Sequence, residues 1–117
     1  MALILIDFCQ GMPAETATAI VSVLMGGILE RFPSLKICFA HGGGSFPYTA
    51  ARIQHGYNVR PDLCATDCSK PPLDFLGKIW TDSLVHDPDA LELLVKVMGE
   101  VSYHTLVFST TLSYYHT

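Results

Sequence analysis

His41 stands where an apolar run, Leu35-Lys36-Ile37-Cys38-Phe39-Ala40, gives way to three glycines, Gly42 to Gly44. Imidazole is well suited to take and return a proton near neutral pH, and it is also the commonest metal ligand. Glycines beside it let a ligand approach the main chain closely. The competing reading is a histidine that hydrogen-bonds at a strand end while the glycines only make a turn. These glycines carry neither the Gly-x-x-x-x-Gly-Lys-Ser/Thr phosphate loop nor the Gly-x-Gly-x-x-Gly dinucleotide fingerprint. Arg52 lies about three helical turns further on. Its guanidinium offers a bidentate fork to a carboxylate in another subunit, or it is an ordinary surface ion-pairing residue. Cys64 and Cys68 lack the second cysteine pair or histidine pair that a zinc clip needs. His55, His86, His104 and His116 are scattered and read as packing or surface residues. Asp82, inside an apolar run, is placed to face the end of a strand, and Asp87 reads as a helix cap.

The elements that must position His41 follow from the spacing. Pro13 suits a first helical turn, and Ile20, Val23, Leu24 and Ile28 then share one helical face, with Pro33 ending the helix. Gly26 and Gly27 weaken it, which points to close packing there. The run from Leu35 to Ala40 reads as a strand buried on both sides, hence part of a parallel sheet. Ser45 is expected to cap a helix holding Pro47, Ala50, Ile53 and Tyr57. Residues 60–72 read as a loop and Leu73 to Leu76 as a short helical turn. Ile79 to Val85 has the β-branched and aromatic content of a strand. Asp87, Pro88, the stripe Ala90, Leu91, Leu94, Val97 and Met98, and Gly99 spell a capped amphipathic helix. The order helix, strand, helix, strand, helix predicts an α/β fold with parallel strands and right-handed crossovers. Residues 101–117, rich in Thr, Ser, Tyr and Val, are a candidate for one more strand. Ligands of such folds bind at the carboxyl ends of the strands, which is where His41 stands.

Composition narrows the function. Among 117 residues, 7 Lys and Arg face 11 Asp and Glu, giving a formal net charge of −4. No basic face is available to neutralise phosphates, so nucleic acid and membrane surfaces are not expected partners. At 50% hydrophobic residues the chain has ample apolar mass for a core. The charged fraction is only 15%, against about 25% in ordinary soluble domains, so part of the surface is expected to be covered by an oligomer partner or by more of the same fold. No apolar stretch reaches the ~20 residues of a membrane-spanning helix. Met1 to Ile6 lacks the features of a secretory signal, and four cysteines in so apolar a chain suit the reduced cytosol.

Four stretches together carry a specific resemblance: Gly11-Met12-Pro13-Ala14-Glu15-Thr16, Phe39 to Arg52, Arg60-Pro61-Asp62-Leu63-Cys64, and Thr81-Asp82-Ser83-Leu84-Val85-His86-Asp87-Pro88. With them the chain, over residues 11–100, resembles the aminocarboxymuconate-semialdehyde decarboxylases, a metal-dependent family of the amidohydrolase superfamily. The resemblance implies a (β/α)8 barrel, of which this chain is expected to supply roughly three βα units, with residues 101–117 a divergent tail. It implies one zinc and a homodimer. The reaction it implies is loss of CO2 from 2-amino-3-carboxymuconate 6-semialdehyde, giving 2-aminomuconate 6-semialdehyde in the kynurenine branch of tryptophan breakdown. It makes His41 the acid/base beside the zinc-bound water and Arg52 the residue that crosses the dimer interface to the substrate carboxylate. The family's metal-binding His-x-His lies upstream of the matched stretch, and its aspartate ligand follows the last helix, where residues 101–117 contain no acidic residue. No metal ligand carries over, so the chain is expected to be a fragment or truncated isoform that binds no zinc and is inactive alone. The alternative expectation is a non-catalytic chain that pairs with the full-length enzyme.

Overall fold

The computed structural model describes residues 5–99. Its first helix, α1 (Met12–Met25), is preceded without a break by one wide helical turn, Asp7–Gly11, so the helix starts upstream of Pro13. Pro13 still occupies the first turn of α1 proper, and Ala17, Ile20 and Leu24 line its buried face. The expected continuation to Pro33 is interrupted. Gly27 adopts φ +67°, and the chain restarts as the short α2 (Ile28–Arg31). A Cβ on Gly27 would collide with the Asp67 carbonyl oxygen, so the glycine is there for close packing against the 60s loop.

Strands β1 (Ile37–Phe39) and β2 (Ile79–Thr81) pair in parallel, in the register Ile37 with Ile79, Cys38 with Trp80 and Phe39 with Thr81. Between them run α3 (Phe46–Val59), the short α4 (Pro61–Cys64) and a 3-10 stretch, Pro72–Lys78. A parallel pair needs such a crossover because its ends lie at opposite poles of the sheet. After β2 comes α5 (Pro88–Met98). Two βα units and a leading helix are therefore in place, and the α/β order agrees with the sequence. The strand expected over 101–117 lies outside the described residues.

Several local expectations change. Both strands are three residues long. Cys38 faces solvent, so β1 is not buried on both sides among the described residues. β2 stops at Thr81 because Asp82 turns its carboxylate back onto the Leu84 N–H, 3.0 Å away, and so closes a turn. Ser45 does not cap α3 through its side chain. Instead its carbonyl accepts from the Thr49 hydroxyl at 3.1 Å, while its own N–H donates to the Pro13 carbonyl at 3.3 Å. The 60–72 loop holds the helical turn α4. The cap on α5 is as expected: Asp87 Oδ1 accepts from the Ala90 N–H at 2.9 Å.

The core is built from Ile20, Leu24 and Leu29 of the first two helices, Phe46 and Ala50 of α3, Ile79 of β2, and Leu94 and Met98 of α5. Phe46, two residues past the glycines, is fully buried. Its position holds the start of α3 against α1 and thereby fixes where the glycine turn can lie.

Candidate active site

At the carboxyl end of β1 the chain makes a 3-10 turn over His41–Gly43. His41, Gly42, Gly43 and Gly44 all have positive φ, at 56°, 59°, 78° and 62°. Glycine adopts that conformation freely; for His41 it costs roughly 1–2 kcal/mol. The glycine at 44 is required on space as well, because a Cβ there would collide with the Pro13 carbonyl. The turn is thus pressed against the first turn of α1.

The carboxylate of Asp82 faces the main chain of this turn. Its Oδ2 accepts from the His41 N–H at 3.0 Å and its Oδ1 from the Gly42 N–H at 2.8 Å, in addition to the Leu84 N–H. Charge-assisted bonds to main-chain N–H groups are stronger than neutral ones, and here three converge on one half-buried carboxylate. The Phe39 carbonyl accepts from the Asp82 N–H at 3.2 Å, a bond that belongs to the Phe39–Thr81 pair at the end of the ladder. Sequence reading placed Asp82 at the strand end but assigned it no partner, because a contact across forty residues leaves no local signal.

His41 borders an open cleft of about 530 Å³ whose other walls include Phe8, Met12, Tyr48, Leu84, His86 and Leu93. Its walls are chiefly apolar, and His41 Nδ1 is buried without a hydrogen-bond partner among the described residues. His86, expected to be a packing or surface residue, is exposed, yet it also borders the cleft and also has positive φ, at 60°. The wide turn that brings Phe8 and Cys9 to the cleft was not foreseen, since residues 5–11 lack a regular apolar repeat.

Arg52 is not part of this cleft. It sits exposed on α3 and makes no hydrogen bond or ion pair among the described residues. Cys68 is packed in the core, and its thiol donates to the Lys70 carbonyl at 3.3 Å. Partial burial, then the charge of Asp82, pushes the Cys38 thiol up from its ordinary value. All four cysteines are free. Among the described residues no three His, Cys, Asp or Glu side chains gather to hold a metal ion. The described residues of this cleft therefore do not make a zinc site by themselves.

A protein-family model described as amidohydrolase matches residues 4–101 of the chain. The chain belongs to the amidohydrolase family. Within that family it is 60% identical over 90 residues to the 2-amino-3-carboxymuconate-6-semialdehyde decarboxylase of Dictyostelium discoideum, and 62% identical over 90 residues to the Caenorhabditis elegans protein of the same name. These matches take in 77% of this chain but only 25% and 22% of the relatives, so the chain spans about a quarter of their length. Among solved structures, Metarhizium anisopliae IDCase in apo form matches with a TM-score of 0.70 at 21% identity, covering 79% of this chain and 26% of that one. The 5-carboxyvanillate decarboxylase of Sphingomonas paucimobilis matches with a TM-score of 0.65 at 26% identity, covering 74% and 27%. The fold is accordingly part of the amidohydrolase α/β barrel, and His41 lies at the strand end where such barrels place their chemistry.

Proposed function

We propose that this chain supplies the acid/base segment of a zinc-dependent 2-amino-3-carboxymuconate-6-semialdehyde decarboxylase. The observation that carries this reading is the 60% identity to a decarboxylase of that name over 90 residues. In a chain of 117 residues a continuous stretch of that length necessarily includes residues 28–90, and with them His41, Arg52 and Asp82. Decarboxylation breaks the bond from carbon to carboxylate and leaves the electron pair on carbon, which must then be protonated. His41 gives that proton and recovers it from solvent. The apolar walls formed by Phe8, Met12 and Leu84 favour release of neutral CO2 over retention of a localised carboxylate charge.

Arg52, exposed and unpaired on α3, is the residue we assign to the substrate carboxylate in the site of a partner subunit, through a bidentate guanidinium pair. This makes the working form a homodimer, with a small acidic molecule as substrate and the cytosol as its place. No metal-holding group gathers among the described residues, and we assign the zinc of that enzyme to residues other than those of this cleft. A non-catalytic chain that pairs with the full-length enzyme is the second reading. Co-purification with that enzyme tests it.

Replacing the matching stretch of the Dictyostelium discoideum decarboxylase by residues 11–100 of this chain tests the assignment. The chimaera is expected to release CO2 from 2-amino-3-carboxymuconate 6-semialdehyde and to leave 5-carboxyvanillate untouched. A folded, zinc-loaded chimaera with no activity on the first compound would overturn the assignment.

A further inference from the structure

We propose that Asp82 is the positioning residue for His41: its carboxylate clamps the main-chain N–H groups of His41 and Gly42 and so fixes the left-handed turn from which the imidazole borders the cleft. The proposal rests on the reading of His41 as the acid/base, but the clamp can be measured without any turnover.

A carboxylate usually orients a working histidine by accepting a hydrogen bond from the ring nitrogen remote from the chemistry. That arrangement is absent among the described residues. His41 Nδ1 is buried and has no partner among the described residues. The nearby carboxylate is bonded to the peptide instead, at 3.0 Å to the His41 N–H and 2.8 Å to the Gly42 N–H. A histidine at φ +56° would relax toward negative φ if nothing opposed it, and the ring would swing with the main chain. Gly42 is at φ +59°, so the clamp holds two consecutive residues in the same unusual region. Asp82 is itself fixed, because Oδ1 also accepts from the Leu84 N–H and its own N–H donates to the Phe39 carbonyl. Orientation is therefore passed from strand β2 to the His41 main chain, and only then to the ring. The clamp itself uses neither ring nitrogen.

The test uses the whole 117-residue chain, labelled with ¹⁵N and ¹³C. In the unsubstituted chain, scalar couplings are expected across the hydrogen bonds from the His41 and Gly42 amide nitrogens to the Asp82 carboxyl carbon. In Asp82→Asn, which keeps the volume but puts an NH2 group against one of the N–H donors, amide exchange at His41 and Gly42 is expected to speed up about tenfold, the effect of one such hydrogen bond. Exchange at Ile20 and Leu24 of α1 stays unchanged, and the His41 imidazole resonances shift while those of His55, exposed on α3, do not. Missing couplings in the unsubstituted chain would overturn the proposal even if the variant failed to fold. So would an Asp82→Asn chain in which the His41 ring signals do not move, or in which protection falls equally at Ile20 and Leu24, which would make Asp82 a general stabiliser. An intact clamp with an inactive chimaera would sink the assignment of function and leave the clamp standing.

Discussion

At the residue scale, the two aspartates of the second half show what local spacing reveals and what it conceals. Asp87 precedes Pro88 and an amphipathic stripe, and that order alone marks a helix cap; in the structure its Oδ1 accepts from the Ala90 N–H at 2.9 Å. Substituting Asp87→Ala is expected to cost about 1 kcal/mol, the usual value of an N-cap. A urea titration will read it as a lower midpoint with unchanged slope. An unchanged midpoint would mean that Pro88 and packing alone set the start of α5. Asp82 differs because its partners at positions 41 and 42 lie far along the chain, and only the parallel register of β1 with β2 brings them to it. The place of His41 at a strand end was legible from the apolar run and the glycines around it. The origin of its orientation was not.

At the element scale, the helices were read well because their apolar faces repeat over several turns. Ile20 and Leu24 in α1, and Leu94 and Met98 in α5, are buried as their spacing requires. The strands were read too long, since apolar content marks where a strand can run while pairing decides where it does. Ladder partners exist only for three residues of each strand. The sequence marks residues 60–72 as a loop without showing what holds it. It is tied down by Glu30 of α2, whose Oε2 accepts from the Ser69 N–H at 3.2 Å and whose Oε1 accepts from the Ser69 hydroxyl and the Lys70 N–H, both at 2.9 Å. These bonds, the Ser69 main-chain one first, hold the Glu30 carboxyl below its ordinary value. A carboxyl whose pKa is lower in the folded chain contributes stability above its unfolded value and loses it as pH falls through its folded value. Glu30→Gln is therefore expected to melt earlier than the unsubstituted chain at neutral pH. Acidification through and below the ordinary glutamate range should shrink the difference, as thermal melts at several pH values will show. A difference that persists undiminished in acid would mean that the tie is not carried by the carboxylate charge.

At the scale of the whole molecule, the described residues make two βα units with a leading helix, about a quarter of the length of the decarboxylases they match. Among the described residues no helix is long and apolar enough to cross a membrane. Phe8, Tyr48 and Leu63 are 67%, 84% and 64% exposed, a pattern that suits a unit covered by neighbouring barrel elements better than one facing water alone. This agrees with the small charged fraction of the sequence, and it explains why fold class was legible from composition and order while the cleft was not. The cleft is assembled from the turn at 5–11, the strand ends and the start of α5, segments whose meeting no periodicity describes.

The central claim is that His41 moves the proton in a decarboxylation, and the most direct measurement is kcat for CO2 release by the chimaera carrying His41→Gln. If His41 is the acid/base, kcat falls by about 10²–10⁴-fold, the usual contribution of such a group, with KM little changed. A variant that keeps its kcat and loses only substrate affinity would contradict the account.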